Sequence, residues 1–441
     1  MNIVPKFIRN SISHRPNLLR IVENMGWLTL DRVVRMGVGL VIGIFVARHL
    51  GPEMFGALSF ALAFVGIFAP IAGLGLREIV VRDLVSEPSE EAGILGTATA
   101  LRALAGIVAY ALIVAAILVL RPDDALIKAM VMIVGLTVVV QTGELAAFWF
   151  EARVQSKYTV LTGFLSFLAG TSVRIVLLLQ EAPVIAFAIT ALVEATLASI
   201  ALLYVFSRNG PGFSGLAPHV ARARQLLRDS WPLFLSGIAI VIYMRIDQVM
   251  LGQMFDDKAV GVYSVAVRIS EVWYFLPVII TASLFPTIIA TRKRNEAEYY
   301  AQLQRLFDLM VWLAIGIAVP MMLLATPLVT LLFGPAYAEA GAVLAVHIWT
   351  GVFVFLGVAS SKWFVVENRQ LLSLQRTLLG ALLNVVLNLL LIPRYGAIGA
   401  AWATLFAQAA AALVFDCVQP STRTLFAMKL RSFFPVHYIR K

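Results

Sequence analysis

Apolar runs of about the 20 residues that a membrane-spanning helix needs recur from residue 27 to residue 418, separated by short polar or Gly/Pro-containing breaks. The pattern predicts twelve spans: 27–47, 55–76, 93–119, 127–149, 158–179, 184–206, 231–253, 260–285, 308–333, 341–364, 371–392 and 397–418. The longest connection, 207–230, opens with the Gly/Pro-rich SRNGPGFSGLAPH and continues with the basic ARARQLLRD, which reads as a linker leading into a helix. The expected organisation is a segment 1–26, a six-helix bundle 27–206, a linker 207–230, a second six-helix bundle 231–418 and a basic tail 419–441.

Composition agrees with the pattern. The chain is 60% hydrophobic and 14% charged, against about 45–50% apolar and about 25% charged in soluble domains, so it is an all-α integral membrane protein. Of its Lys and Arg residues in the connections or at span ends, only Arg48, Arg121, Lys128, Lys258 and Arg394 fall on the side opposite the termini. The positive-inside rule then places both termini in the cytoplasm, with the chain in the cytoplasmic (inner) membrane. The net charge of +10 therefore sets topology and does not indicate a nucleic-acid partner. The N-terminus lacks the apolar core of a cleavable signal, and the first span is expected to act as an uncleaved anchor. The lone Cys417 excludes a disulfide framework or a multi-thiolate metal site. No HExxH or GxxxxGK[ST] occurs, so no cofactor is expected, and energy must come from an ion gradient, the membrane potential or a partner.

The two halves carry a faint repeat. HLGPEMFGALSFA (49–61) and MFDDKAVGVYSVA (254–266) align without gaps at an offset of 205, pairing Gly56 with Gly261 and Ser59 with Ser264. The offset relates helices of the same direction, so the repeat is parallel, an architecture that places a substrate path between halves.

Four segments carry a family resemblance: ARHLGPEMFGALSFAL (47–62), RIDQVMLGQMFDDKAVGVYSVAVRIS (245–270), LLFGPAYAEAGAVL (331–344) and LNLLLIPRYGAIGAAWAT (387–404). They resemble the polysaccharide-biosynthesis flippases, the Wzx-type members of the multidrug/oligosaccharidyl-lipid/polysaccharide (MOP) superfamily, which also holds the MATE exporters and the peptidoglycan-precursor flippases. The resemblance covers the chain from span 1 to span 12 and implies two six-helix bundles around a central cavity that works by alternating access. Peptidoglycan-precursor members usually have fourteen spans, so a count of twelve argues against that subgroup. The motifs themselves read as structural. Pro393 is expected to end span 11, LGPE to make a tight turn, and Gly396 and Gly399 with Ala400, Ala401 and Ala403 to allow close helix contact.

The transport chemistry implied by the resemblance needs cations for a diphosphate and polar groups for sugars. A charge at mid-bilayer costs at least about 2.5–3.5 kcal/mol and faces a cavity or a partner. On span 1, Asp31, Arg32 and Arg35 fall on one arc with Gly39 and Gly43. They are candidate substrate contacts, with an Asp31–Arg35 i,i+4 ion pair as the structural alternative. On span 7, Arg245 and Asp247 are two residues apart and point to different sides of the helix. Arg245 is the leading diphosphate contact, and Asp247 faces either the cavity or a neighbouring helix. On span 8, Arg268 and Glu271 share a face as cavity charges or as an internal pair. The offset maps Arg245, Arg268 and Glu271 onto the uncharged Leu40, Ala63 and Gly66, so the halves share backbone features but not charges. Glu144 and Glu194 lead the acids that could bind a coupling H+ or Na+, ahead of Asp308 and Asp416. Arg174 is expected to snorkel, Trp273 and Tyr274 either to stack on sugars or to pack, and the tail to lie on the anionic leaflet.

The reading favoured is a flippase moving a polyprenyl-diphosphate-linked oligosaccharide to the outer leaflet for O-antigen, capsule or exopolysaccharide assembly. Membrane lipids, a glycan polymerase and its chain-length machinery are the expected partners. An ion-coupled exporter of small cations is the alternative, although its cavity should be dominated by acids. A membrane glycan polymerase or ligase ranks last, because the outward connections are too short for a catalytic domain.

Overall fold

A helix in lipid satisfies every backbone polar group internally, and all regular elements among the described residues are helical. The computed structural model describes residues 16–212, 215–292 and 294–434. The expectations for residues 1–15 and for the end of the basic tail lie outside them. In chain order the main helices are α1 Pro16–Gly73, α2 Leu76–Ser86, α3 Glu91–Leu120, α4 Ala125–Val140, α5 Leu145–Ala152, α6 Lys157–Leu179, α7 Val184–Asn209 and α8 Val220–Met254. There follow α9 Asp257–Glu271, α10 Phe275–Arg292, α11 Glu296–Leu323, α12 Ala325–Phe333, α13 Ala340–His347, α14 Thr350–Val366, α15 Gln370–Ala409 and α16 Arg423–Arg431.

Ten helical runs among the described residues are long and apolar enough to cross a membrane. Two of them, Asp31–Ser86 with 56 residues and Gln370–Val418 with 49, are each long enough for two crossings at about 1.5 Å per residue. Both break at a glycine. Gly51 (φ 70°) turns α1 within LGPE, and Gly396 (φ 54°) turns α15 within PRYGAIG. Counting each as two accounts for the twelve spans of the hydropathy pattern. The second break falls three residues after Pro393, which stays within the helix, because glycine adopts positive φ without a Cβ penalty. A Cβ on Gly399 would stand 2.4 Å from the Leu391 carbonyl oxygen, and Ala400, Ala401 and Ala403 are fully buried. The small residues of this motif thus let the two arms pack closely.

The chain forms two compact units. One comprises the described residues up to Leu50 together with Ala61–Ile238, and the other Gly51–Phe60 with the chain from Ala239. The first unit has a core of Leu76, Val80, Ile94, Phe150, Phe206 and Leu226. Residues 217–229 are bound into it. Ala217 packs on Gly96, the His219 N–H donates to Thr97 Oγ1 at 3.0 Å, Arg222 pairs with Glu87, and Arg82 pairs with Asp229 at 2.6 Å. The Arg222 guanidinium beside Glu87 holds that carboxyl below its usual range. The division between units therefore falls inside α8.

The second unit has its core around Tyr299, Phe307, Phe355, Trp363 and Phe364, and α16 adds Leu425 and Met428 to it. On the same helix Lys429 is fully buried. Its ammonium donates to Asp416 Oδ2 at 2.6 Å and to the Ala412 carbonyl at 2.9 Å, inside a π-helical turn at Ala410–Val414. Burial pulls this ammonium down to about 8 despite the carboxylate beside it. Asp416 is thereby an anchor for α16, and its pairing with lysine sets it apart from the free acids a coupling site would need.

Gly51–Phe60 belongs to the second unit because of one helix crossing. A Cβ on Gly56 would stand 1.7 Å from the carbonyl oxygen of Asp257, and a Cβ on Gly261 2.0 Å from that of Pro52. The two contacts are reciprocal, each glycine meeting the carbonyl four residues before the other, and both pairs obey the 205-residue offset. The faint sequence repeat is thus a pair of like elements crossing at their matched glycines. Gly56→Ala forces backbone against backbone, and overpacking of this kind costs about 1–3 kcal/mol or more. Its thermal midpoint in detergent should fall well below wild type, and an unchanged midpoint would mean that the crossing does not require glycine.

Candidate functional site

Ionised groups placed within apolar helices find partners or a hydrated space, and the first unit supplies both. A cavity of about 1270 Å³ opens there, lined among others by Asp31, Arg32, Arg35, Arg174, Glu144 and Glu194. Gln141, Thr137, Thr162 and Ser166 add neutral polar groups to its wall. Arg35 Nε donates to Asp31 at 2.6 Å, and its guanidinium also lies over the Phe167 ring, 5.5 Å from the centroid. The i,i+4 pair and the cavity lining are therefore both present. Arg32 is exposed, with no ion pair among the described residues.

The two leading coupling acids are engaged by arginines. Glu194 on α7 accepts from Arg174 on α6 at 2.7 Å, and Glu144 accepts from the buried Arg102 on α3 at 3.3 Å. Arg174 was expected to snorkel away from the interior. It lines the cavity instead, because α7 presents Glu194 at its level and an ion pair holds it there. Arg77, also lining the cavity, pairs with Glu151 at 3.0 Å. Nothing in the hydropathy pattern marks these pairings, since the partners are 20 to 74 residues apart in sequence.

In the second unit, α8 separates the two charges of RID. The Arg245 side chain is 40% exposed and lies 4.0 Å from Glu271, whereas Asp247 is 3% exposed. Arg268 on α9 lies over the Phe55 ring, 5.2 Å from the centroid. Glu271 thus has an arginine from another helix as a partner, besides the neighbour on its own face. Trp273 and Tyr274 pack against the hydrophobic core, and the Tyr274 hydroxyl bonds Thr350 Oγ1 at 2.7 Å, so both are packing residues here.

Asp247 faces neighbouring helices. Its Oδ2 accepts from Tyr263 OH on α9 and from Thr404 Oγ1 on α15, each at 2.6 Å, and its Oδ1 accepts from Asn388 Nδ2. Asn388 also donates to Asn384 Oδ1 at 3.2 Å, one turn away on α15. The Ala400 carbonyl lies 3.0 Å from the Thr404 hydroxyl, an alternative acceptor for its single proton. The carboxylate has no cationic partner among the described residues, and Asn388 Oδ1 is buried without a hydrogen bond. This is a compact set of hard oxygen atoms around one acid, suited to a proton or a small hard cation. The sequence signal for it was the pair Asn384 and Asn388 at i,i+4 inside an apolar run, which the reading by charge alone missed. No cluster of three or more His, Cys, Asp or Glu side chains occurs among the described residues.

Burial separates the roles of the two span-7 charges experimentally. Asp247→Ala removes the buried carboxylate that three donors from two other helices share, a loss of about 1–3 kcal/mol or more, whereas Arg245→Ala removes a half-exposed side chain. Thermal unfolding should show a much larger loss for Asp247→Ala than for Arg245→Ala. Equal losses would contradict the tether.

Known proteins match this architecture over most of its length. Residues 21–292 match the polysaccharide biosynthesis protein family, and residues 232–390 match MatE. The chain is 28% identical over 392 residues to the probable flippase AglR of Haloferax volcanii, covering 85% of this chain and 78% of that one. It is 26% identical over 336 residues to the succinoglycan biosynthesis transport protein ExoT of Rhizobium meliloti, covering 74% of this chain and 65% of that one. Among solved structures, the lipid II flippase MurJ in an inward closed conformation superposes with a TM-score of 0.72 at 15% identity, covering 94% of this chain and 92% of that one. With more than half its length matched by one family pattern and the fold of the lipid II flippase MurJ, this multi-pass membrane protein belongs to the polysaccharide biosynthesis protein family.

Proposed function

We propose that the protein flips a polyprenyl-diphosphate-linked oligosaccharide from the cytoplasmic to the outer leaflet of the cytoplasmic membrane, with both termini cytoplasmic. The observation that carries this reading is the cavity of the first unit, where Arg32, Arg35 and Arg174 stand among hydroxyl and amide side chains. Guanidinium groups recognise phosphate oxygens through paired hydrogen bonds, and the neutral polar groups suit sugar hydroxyls. Similarity to the probable flippase AglR and to the succinoglycan biosynthesis transport protein ExoT supports a flippase serving glycan assembly. The product would feed a glycan polymerase and chain-length machinery assembling surface polysaccharide. The chain acts as a transporter and needs no covalent step. An exporter of small cations fits less well, because the cavity wall carries four arginines against three acids and Arg32 has no ion pair among the described residues.

For coupling, the oxygen set around Asp247 suits a proton or sodium ion better than Glu144 or Glu194, which are held in ion pairs. Cation binding there would replace hydrogen bonds that tie α8 to α9 and α15, linking ion occupancy to the helix that carries Arg245.

The test is translocation by purified protein in proteoliposomes, with the diphosphate-linked glycan compared against a cationic dye. Wild type should move the glycan and not the dye, and Arg35→Ala or Arg245→Ala should lower the rate about tenfold or more while inserting normally. Transport of the dye alone would favour the exporter, and full glycan flipping by both variants would remove the arginines from the site. Collapsing the proton and sodium gradients should slow wild type but leave an Asp247→Asn variant at its own basal rate. Indifference of wild type to both gradients would discard ion coupling.

A further inference from the structure

Two glycines on one face of α6 meet charged side chains rather than backbone. A Cβ built on Gly163 would stand 2.5 Å from Arg35 Nη2, and one built on Gly170 would stand 2.7 Å from Glu194 Oε2. The two positions are seven residues apart, hence two turns along the same face. Gly163 is a seat for the guanidinium that α1 sends into the cavity wall. Gly170 is a seat for the carboxylate that α7 sends across α6 toward Arg174, one turn further on. Around Gly163 the guanidinium is held on three sides, by the Asp31 carboxylate, by the Phe167 ring and by the bare helix surface. Around Gly170 the Glu194 side chain lies against the helix as far as its Cβ, 3.2 Å away. Each seat keeps a charged head flat against the wall of a cavity whose volume is open to a ligand.

We propose that Gly163 and Gly170 are positioning residues that fix where Arg35 and the Arg174–Glu194 pair present their charges to the anionic part of the transported lipid. The inference rests on the flippase reading and adds two residues without charge or hydrogen-bonding side chains. Its physical content lies in what each added methyl would strike. At Gly56 the obstacle is backbone, which cannot move without parting two helices. At Gly163 it is the far end of a flexible side chain, which swings away cheaply, and at Gly170 it is chiefly the Glu194 carboxyl, with the Glu194 Cβ at 3.2 Å yielding by a few tenths of an ångström. An alanine there leaves helix packing in place and raises helix propensity, while it dislodges a charge from its seat. Displacements of about 1 Å in a positioned group can lower rates by about 100-fold.

The experiment pairs stability with transport in proteoliposomes using the diphosphate-linked glycan. Gly163→Ala and Gly170→Ala should unfold at or above the wild-type temperature and yet translocate the glycan about tenfold more slowly or worse. In Arg35→Ala the added Gly163→Ala should cost nothing more, because its effect runs through Arg35, and Gly170→Ala should likewise be silent in Glu194→Gly, which removes the contacting Cβ with the carboxylate. Alanine variants that flip at the wild-type rate, that lose thermal stability, or that slow the double variants by a further full factor would each overturn the seating role. A wild-type protein that fails to move the glycan removes the flippase reading first and the seats with it, an outcome distinct from active wild type with unaffected glycine variants.

Discussion

An ionised side chain inside a hydrocarbon layer must be matched, and the placement of almost every charge in this chain follows from that. Arg35 meets Asp31, Arg174 meets Glu194, Arg102 meets Glu144 and Arg245 lies beside Glu271. Lys429 and Asp416 satisfy each other in complete burial and pin a terminal helix in doing so. Breaking one member of such a buried pair costs about 3–5 kcal/mol, because the survivor is left uncompensated. Pairs that line the cavity are different in kind. They are partly exposed to the cavity, which leaves them open to the proposed anionic ligand. Asp247 is the exception that gives the second unit its distinct character, for it is satisfied by hydroxyl and amide donors.

The second constraint is steric and belongs to the repeat. Two helices that begin at Pro52 and Asp257 approach until each glycine touches the carbonyl four residues before its counterpart. Lipid offers no hydrophobic drive between helices, so close approach through small residues supplies the attraction. The matched glycines are retained in both halves because the contact is symmetric. The charges need not be, and they are not. Positions 40, 63 and 66, the counterparts of Arg245, Arg268 and Glu271, are Leu, Ala and Gly.

Much of this was legible in the residues. The apolar runs, the turns at LGPE and PRYGAIG and the parallel repeat are periodic or local features, and local features survive translation into three dimensions. Arg245 and Asp247 could be assigned to opposite sides of α8 from helical geometry alone. Partner choice was not legible, because it depends on which helices become neighbours. Arg174 was expected at an interface and instead reaches Glu194, 20 residues away in sequence. Glu144 was a free acid on paper and is held by Arg102, 42 residues earlier. The cage around Asp247 is silent in the sequence for a different reason. Tyr263, Asn384, Asn388 and Thr404 are neutral, and a reading organised around charge passes over neutral ligands.

Anion recognition by the cavity arginines of the first unit is the core of the proposed function. Its central claim is that the diphosphate is the recognised feature of the transported lipid. Equilibrium binding to the purified protein tests this most directly, with the diphosphate-linked glycan compared against the same glycan on an uncharged polyprenol. The charged form should bind at least about tenfold more tightly, a difference of about 1.4 kcal/mol, and Arg35→Ala should narrow it. Equal affinity for the two lipids in wild type would contradict the account.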